Sequence, residues 1–271
     1  MTVAEAVRAC KLRLDDVCPE ESLREAQILL GYVLGIDEKA LPLHHQMALS
    51  REQIIELGAL LERRAGREPL QYILGQWEFM GLPIITDARA LIPRPDTETL
   101  VEAALRLARE RGYRTALDLC CGSGCIGVSL AALGGLQVLA ADISRGCLEL
   151  TQENAALNGQ TLRTLESDLF SAIDERFDMI VCNPPYLSRA DMDALQPELA
   201  FEPREALYGG PDGLDFYRRI AWDCGRCLND GGALLLEIGA AQAKEVCALF
   251  PGAELLPDAA GLPRVVCAQR P

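Results

Sequence analysis

From Thr115 onward, short apolar runs alternate with amphipathic stretches, and this alternation constrains the fold more than any other feature of the 271 residues. Apolar runs at 115–119, 136–141, 161–166, 177–182 and 232–238 read as strands. The stretches near 124–133, 144–158, 214–228 and 241–249 read as helices, and 264–269 adds a candidate strand. Strands that alternate with helices form a mostly parallel sheet covered on both faces, with ligands at the carboxyl edge of the strands. The expected fold class is therefore α/β.

The chain before this region has a different period. Val3, Ala6, Val7 and Cys10 recur at helical spacing, and capping-box patterns at Ser22-Leu-Arg-Glu25 and Ser50-Arg-Glu-Gln53 each precede an apolar helical face. Residues 1–75 are expected to form a small helical bundle that carries no chemistry of its own and either serves stability alone or docks a substrate. Between 76 and 92, Gln76–Phe79 and Leu82–Thr86 flank Met80-Gly81, which predicts a hairpin joining two domains. Ile92-Pro-Arg-Pro95 then stops any strand and leads into a helix from Asp96 or Thr97 to Arg111, opening a catalytic domain over 93–271.

Composition excludes several classes. Apolar residues at 49% and charged residues at 24% can support a packed core. No run of about 18 apolar residues occurs, and Met1 to Leu14 carries Glu5, Arg8, Lys11 and Arg13, so neither a membrane span nor a signal peptide is expected. The net charge of -14, with 16 basic and 26 acidic residues in 93–271, disfavours broad phosphate-backbone binding. Eleven cysteines, an odd number mostly beside apolar stretches, suggest free thiols in a reducing cytoplasm. Cys224-Gly-Arg-Cys227 has zinc-ligand spacing but lacks a second pair, so no metal is expected.

Three segments carry the chemistry. Leu117-Asp-Leu-Cys-Cys-Gly-Ser-Gly-Cys-Ile-Gly127 places a glycine-rich loop between a strand and a helix, where the absent side chains of Gly122 and Gly124 let a ligand approach the backbone beside Cys120, Cys121 and Ser123. Asp142 ends the second strand 20 residues after Gly122, the place from which a carboxylate accepts hydrogen bonds from ribose hydroxyls. A nucleoside-containing cofactor is expected, with Asp168 and Leu169 after the third strand bordering its base. The third segment, Phe177-Asp-Met-Ile-Val-Cys-Asn-Pro-Pro-Tyr186, ends an apolar strand in an amide, two prolines and an aromatic ring. Hydride transfer has no use for this turn. An amino or amide nitrogen has two N–H donors to satisfy, and Asn183 Oδ1 with a backbone carbonyl can accept both, while Tyr186 stacks on the planar group.

With these residues in place, the sequence resembles the class I S-adenosylmethionine methyltransferases bearing the Asn-Pro-Pro-Tyr motif, and more closely the HemK/PrmC family of release factor glutamine-N5 methyltransferases. Besides the cofactor loop and the turn Asn183, Pro184, Pro185 and Tyr186, the resemblance includes Glu68–Gly75, Leu91-Ile-Pro-Arg-Pro-Asp-Thr-Glu98 and Phe201-Glu-Pro-Arg204. It implies a Rossmann-like, mostly parallel seven-stranded sheet behind the helical domain. It also implies methyl transfer from S-adenosylmethionine to the glutamine amide nitrogen in the Gly-Gly-Gln loop of class 1 peptide chain release factors. Asn183, Pro184 and Tyr186 would then act on the acceptor, with Asn183 also beside the cofactor. Cys120 stands where the family's loop often has its first glycine. A ribosomal-protein glutamine methyltransferase, a nucleic-acid amino-methyltransferase and a non-catalytic cofactor-binding module remain open alternatives.

Overall fold

The computed structural model describes residues 1–270, which form two compact units: residues 1–75 with 197–201, and residues 76–196 with 202 onward. In the first unit, α1 (Val3–Leu14), α2 (Ser22–Leu34), α3 (Arg51–Ala65) and the short α4 (Leu70–Leu74) bury one face each, including Ala6, Leu14, Leu29, Leu30 and Leu57. Ser50 and Gln53 form the expected reciprocal cap, and Thr2 with Glu5 forms another at α1. The expected cap at Ser22 does not form. Its hydroxyl donates instead to Asp15 at 2.6 Å, and Glu25 turns to the buried Arg64, whose Nε lies 2.6 Å away. A second carboxylate, Glu198, meets Arg64 and Arg67 at 3.2 Å each, which ties the distant segment 197–201 to this unit. A charge as buried as Arg64 requires such partners.

The second unit opens with β1 (Gln76–Phe79) and β2 (Leu82–Ile85), an antiparallel hairpin turned by Met80 and Gly81, both at positive φ as a two-residue turn demands. The Met80 N–H donates to Glu98 Oε1 at 2.8 Å, and Asn154 bonds both backbone groups of Ile85, so segment 76–92 belongs to this unit. α5 (Pro95–Arg111) starts slightly earlier than expected because Pro95 occupies the first helical position, where a missing N–H costs nothing.

There follow β3 (Thr115–Leu119), α6 (Cys125–Gly134), β4 (Gln137–Asp142), α7 (Arg145–Leu157), β5 (Arg163–Glu166), β6 (Phe177–Cys182), α8 (Arg189–Asp193), α9 (Asp215–Cys227), β7 (Leu228–Glu237), α10 (Ala243–Leu249), β8 (Glu254–Pro257) and β9 (Pro263–Gln269). The seven strands run in the order β5-β4-β3-β6-β7-β9-β8, all parallel except β9, which is antiparallel to both neighbours. Alternation along each strand feeds two apolar layers. Ala116, Val138, Met179, Val181 and Leu235 pack with α5, α6 and α7, whereas Leu117, Leu139, Ile180, Cys182 and Leu236 pack with α9 and α10. Cys227 is buried in the second layer and Cys224 packs against it, as one helix face predicts.

Differences from expectation lie at the edges. β5 begins at Arg163 and not 161, and β7 begins at Leu228, before the Gly231–Gly232 kink that hid its start. The 241–249 helix divides into a 3₁₀ turn at Ala240–Gln242 and α10. β8 gave no signal because its four residues are mostly exposed and pair only at the sheet edge. Among the described residues, no helix is long and apolar enough to cross a membrane.

Candidate active site

The order of the strands reverses between β3 and β6, so their carboxyl ends border a crevice. A cavity of about 1200 Å³ opens there. Cys120, Cys121, Gly122, Ser123, Asp142, Asp168, Leu169, Asn183 and Pro185 all line it. Gly124, Pro184 and Tyr186 do not form its walls. Gly124 caps α6, Pro184 is buried, and the Tyr186 ring packs on the α9 side of the sheet.

The glycine loop is shaped by packing as well as by torsions. Gly124 has φ +75, and a Cβ there would fall 2.6 Å from Thr151 Cγ2. A Cβ at Gly127 would lie 2.8 Å from Asp118 Oδ2, the atom that accepts the Gly127 N–H, so this glycine lets α6 sit against β3. Cys120 and Leu169 hold left-handed torsions (φ 59 and 50) that side chains disfavour, and both border the cavity. Such strain persists where surrounding structure fixes it and clusters at ligand sites.

Asp142 is fixed at the cavity edge from two sides: Oδ2 accepts from Gly122 N at 3.0 Å and Oδ1 from Ser144 N at 2.9 Å. Burial raises its pKa from the ordinary value, and these N–H donors oppose the rise. Each oxygen keeps a lone pair for a further donor. Ser144 separately caps α7 through Cys147 N, so Asp142 is not needed as the helix cap. Next to it, the apolar side chain of Ile143 is 64% exposed on the cavity wall, suited to cover a purine face. Asp168 is half exposed and pairs with Arg219 at 2.8 Å. Backbone donors, a paired-hydroxyl acceptor and an apolar cover in one crevice fit an adenosine-bearing cofactor.

Asn183 is held by a residue that sequence reading missed. Its Nδ2 donates to Thr97 Oγ1 at 3.3 Å, leaving Oδ1 as the acceptor. The turn it begins is braced by Gly209–Gly213. A Cβ at Gly209 would lie 2.5 Å from the Pro185 carbonyl oxygen, and one at Gly213 2.3 Å from that of Tyr186. Gln242 Nε2 donates to the Tyr186 carbonyl at 2.9 Å. The glycine cluster was the available signal. Two motif segments also meet here: Glu202, 6% exposed, accepts from Ile92 N at 3.0 Å and pairs with Arg94.

Asp118 is fully buried with Oδ1 unpartnered, and burial pushes its pKa up to about 7. The folded chain therefore retains a proton that the unfolded chain gives up near pH 4. Folding stability should fall as pH rises from about 4 to 7 on account of this group, then level off. Urea denaturation of wild type and Asp118→Asn across this range should show the variant losing that component. An identical pH dependence in both would contradict it.

Comparison with known proteins agrees with this geometry. Residues 5–75 match the PrmC N-terminal domain model and residues 97–210 the methyltransferase small domain model. The release factor glutamine methyltransferase of Geobacter sulfurreducens is 45% identical over 85% of this chain and 82% of its own length. That of Cereibacter sphaeroides is 42% identical over 100% and 99%. Among solved structures, the hMettl16 catalytic domain with an RNA hairpin superposes with a TM-score of 0.54 at 18% identity, covering 77% of this chain and 81% of that one. A Thermus thermophilus 16S rRNA methyltransferase solved with AdoMet and guanosine gives 0.52 at 20% identity, covering 72% and 50%. These two share the class I methyltransferase fold. Relatives alike over nearly the whole chain, together with both domain models, show that this chain belongs to the release factor glutamine methyltransferase family.

Proposed function

We propose that the protein methylates the side-chain amide nitrogen of the Gly-Gly-Gln glutamine in class 1 release factors, with Asn183 as the residue that receives that amide. The observation that carries the assignment is the hydrogen bond from Asn183 Nδ2 to Thr97, which leaves Oδ1 as an acceptor on the wall of the cofactor crevice. When bound, S-adenosylmethionine supplies the electrophilic methyl group. Gly122, Asp142, Ile143 and Leu169 would hold it, with Asp142 accepting from the ribose hydroxyls. An amide nitrogen is a poor nucleophile because its lone pair is delocalised into the carbonyl. Asn183 Oδ1 and the Pro184 carbonyl, accepting both N–H bonds, would orient the nitrogen and favour its pyramidalisation as the new bond forms. No histidine lies in the catalytic unit, and the extra proton can leave to water after transfer. Tyr186 stays assigned to the acceptor side through its place in the turn.

Residues 1–75 are assigned to docking of the protein substrate, and the cytoplasm, where release factors act, to the place of action. Eleven cysteines, all free thiols, suit that reducing compartment. The net charge of -14 speaks against direct nucleic-acid binding. The test is incubation with labelled S-adenosylmethionine and purified release factors, followed by mass spectrometry of the modified residue. Methyl on the Gly-Gly-Gln glutamine is expected, and its absence from every release factor tested refutes the proposal. In the same assay, a folded variant starting at Gln76 should bind the cofactor yet fail on intact release factor.

A further inference from the structure

Asn183 can act as an acceptor only if its amide is turned the right way. Rotation by 180° exchanges Oδ1 for Nδ2 at almost no change in shape, and would set an NH₂ donor against the NH₂ of the acceptor glutamine. Something must therefore choose between the two orientations. The backbone of the turn does not, because both are compatible with the same Cβ position.

Thr97 supplies the choice. It sits in the first turn of α5, only 2% exposed, and its Oγ1 lies 3.3 Å from Asn183 Nδ2. A hydroxyl has a single proton, so where that proton goes decides whether Oγ1 meets Asn183 as acceptor or donor. The neighbouring strand provides the acceptor. Cys182 of β6 pairs with Leu236 of β7, which puts Glu237 beside Asn183 at the two strand ends. Glu237 is 1% exposed and keeps Oε2 without a hydrogen-bond partner. Burial pushes the Glu237 pKa up to about 7 and the Thr97 hydroxyl opposes that rise, so above about pH 7 the ionised carboxylate accepts the Thr97 proton and leaves the threonine oxygen to receive Nδ2.

We propose that Thr97 is a positioning residue for methyl transfer: its hydroxyl, committed to the buried Glu237 carboxylate, accepts from Asn183 Nδ2 and so holds Asn183 Oδ1 toward the acceptor amide. This rests on the assignment of Asn183 to that amide. The arrangement also gives a physical reason for a threonine in the segment Leu91–Glu98. α5 brings in from 86 residues away a polar contact that the turn cannot make for itself.

The test is a double-mutant cycle in the full chain with S-adenosylmethionine and release factor, read as single-turnover rate, KM for the release factor and cofactor Kd by calorimetry. Thr97→Val keeps the shape and removes the hydroxyl. It should lower the rate about 10-fold, the value of one hydrogen bond, and leave cofactor Kd within about 2-fold of wild type. Thr97→Ser restores the hydroxyl and should recover most of the rate, which a packing role for the methyl group would not allow. In an Asn183→Ala background, Thr97→Val should add little further loss, since its effect passes through Asn183. Thermal melts establish that each variant is folded. If Asn183→Ala is slow but Thr97→Val matches wild type, or its effect is undiminished in the Asn183→Ala background, the positioning role is wrong. If Asn183→Ala itself retains the wild-type rate, the underlying acceptor assignment is wrong instead.

Discussion

Replacing Asn183 by alanine is expected to slow methyl transfer to a release factor by about 100-fold or more, the usual cost of removing one preorganised polar group from a reacting centre. The loss should appear in single-turnover rate at saturating cofactor and release factor. Cofactor Kd should change far less, because Oδ1 matters most as the amide nitrogen pyramidalises. Asn183→Asp separates two contributions. Aspartate keeps an acceptor oxygen but loses the Nδ2 donor that Thr97 receives, and it would add a negative charge to the wall of the cofactor crevice. Tight cofactor binding with slow transfer is the expected phenotype. A wild-type rate for Asn183→Ala would remove the turn from the mechanism even with the cofactor site intact.

Asp142→Ala should act on the other substrate. Hydrogen bonds to a charged group contribute about 1.5 to 3 kcal/mol, so its removal should raise the S-adenosylmethionine Kd by roughly 10- to 150-fold. The carboxylate also holds Gly122 N and Ser144 N, which places the upper part of that range in reach. Asp142→Asn retains one acceptor oxygen but turns an NH₂ toward one of those N–H groups, so it should fall between alanine and wild type. Calorimetry against S-adenosylmethionine and NAD decides the matter. An unchanged Kd for Asp142→Ala, or NAD binding as tight as S-adenosylmethionine, would overturn the cofactor assignment.

Much of this architecture is legible in the sequence. Strand and helix periods, the glycine loop, the acid at the end of β4 and the Asn183–Tyr186 turn are local patterns. Each is written within a few residues, and backbone sterics and side-chain alternation act at that range. The loop's glycines belong to the same class: Gly122 and Gly124 need positive φ, and only glycine takes it without cost.

What eluded sequence reading depends on residues far apart in the chain. Ser22 looks like a cap until Asp15 takes its hydroxyl, and Glu25 completes a box until Arg64 claims it. Residues 197–201 group with the first unit, where Glu198 meets Arg64 and Arg67, more than 130 positions earlier. The glycines at 209–213 read as an unremarked loop, although their missing side chains admit the carbonyls of Pro185 and Tyr186.

The amino-acid sequence by itself determined most of the order of elements, the sheet class, the glycine loop and the Asn183–Tyr186 turn, since those follow from short-range stereochemistry. Only the tertiary structure decided which distant groups meet: Thr97 with Asn183, Glu202 with Ile92 and Arg94, and Glu237 beside the turn. The physical reason is that a polar side chain acquires its partner from whatever the completed sheet and its covering helices bring within about 3 Å. That proximity is a property of topology, absent from any window of sequence.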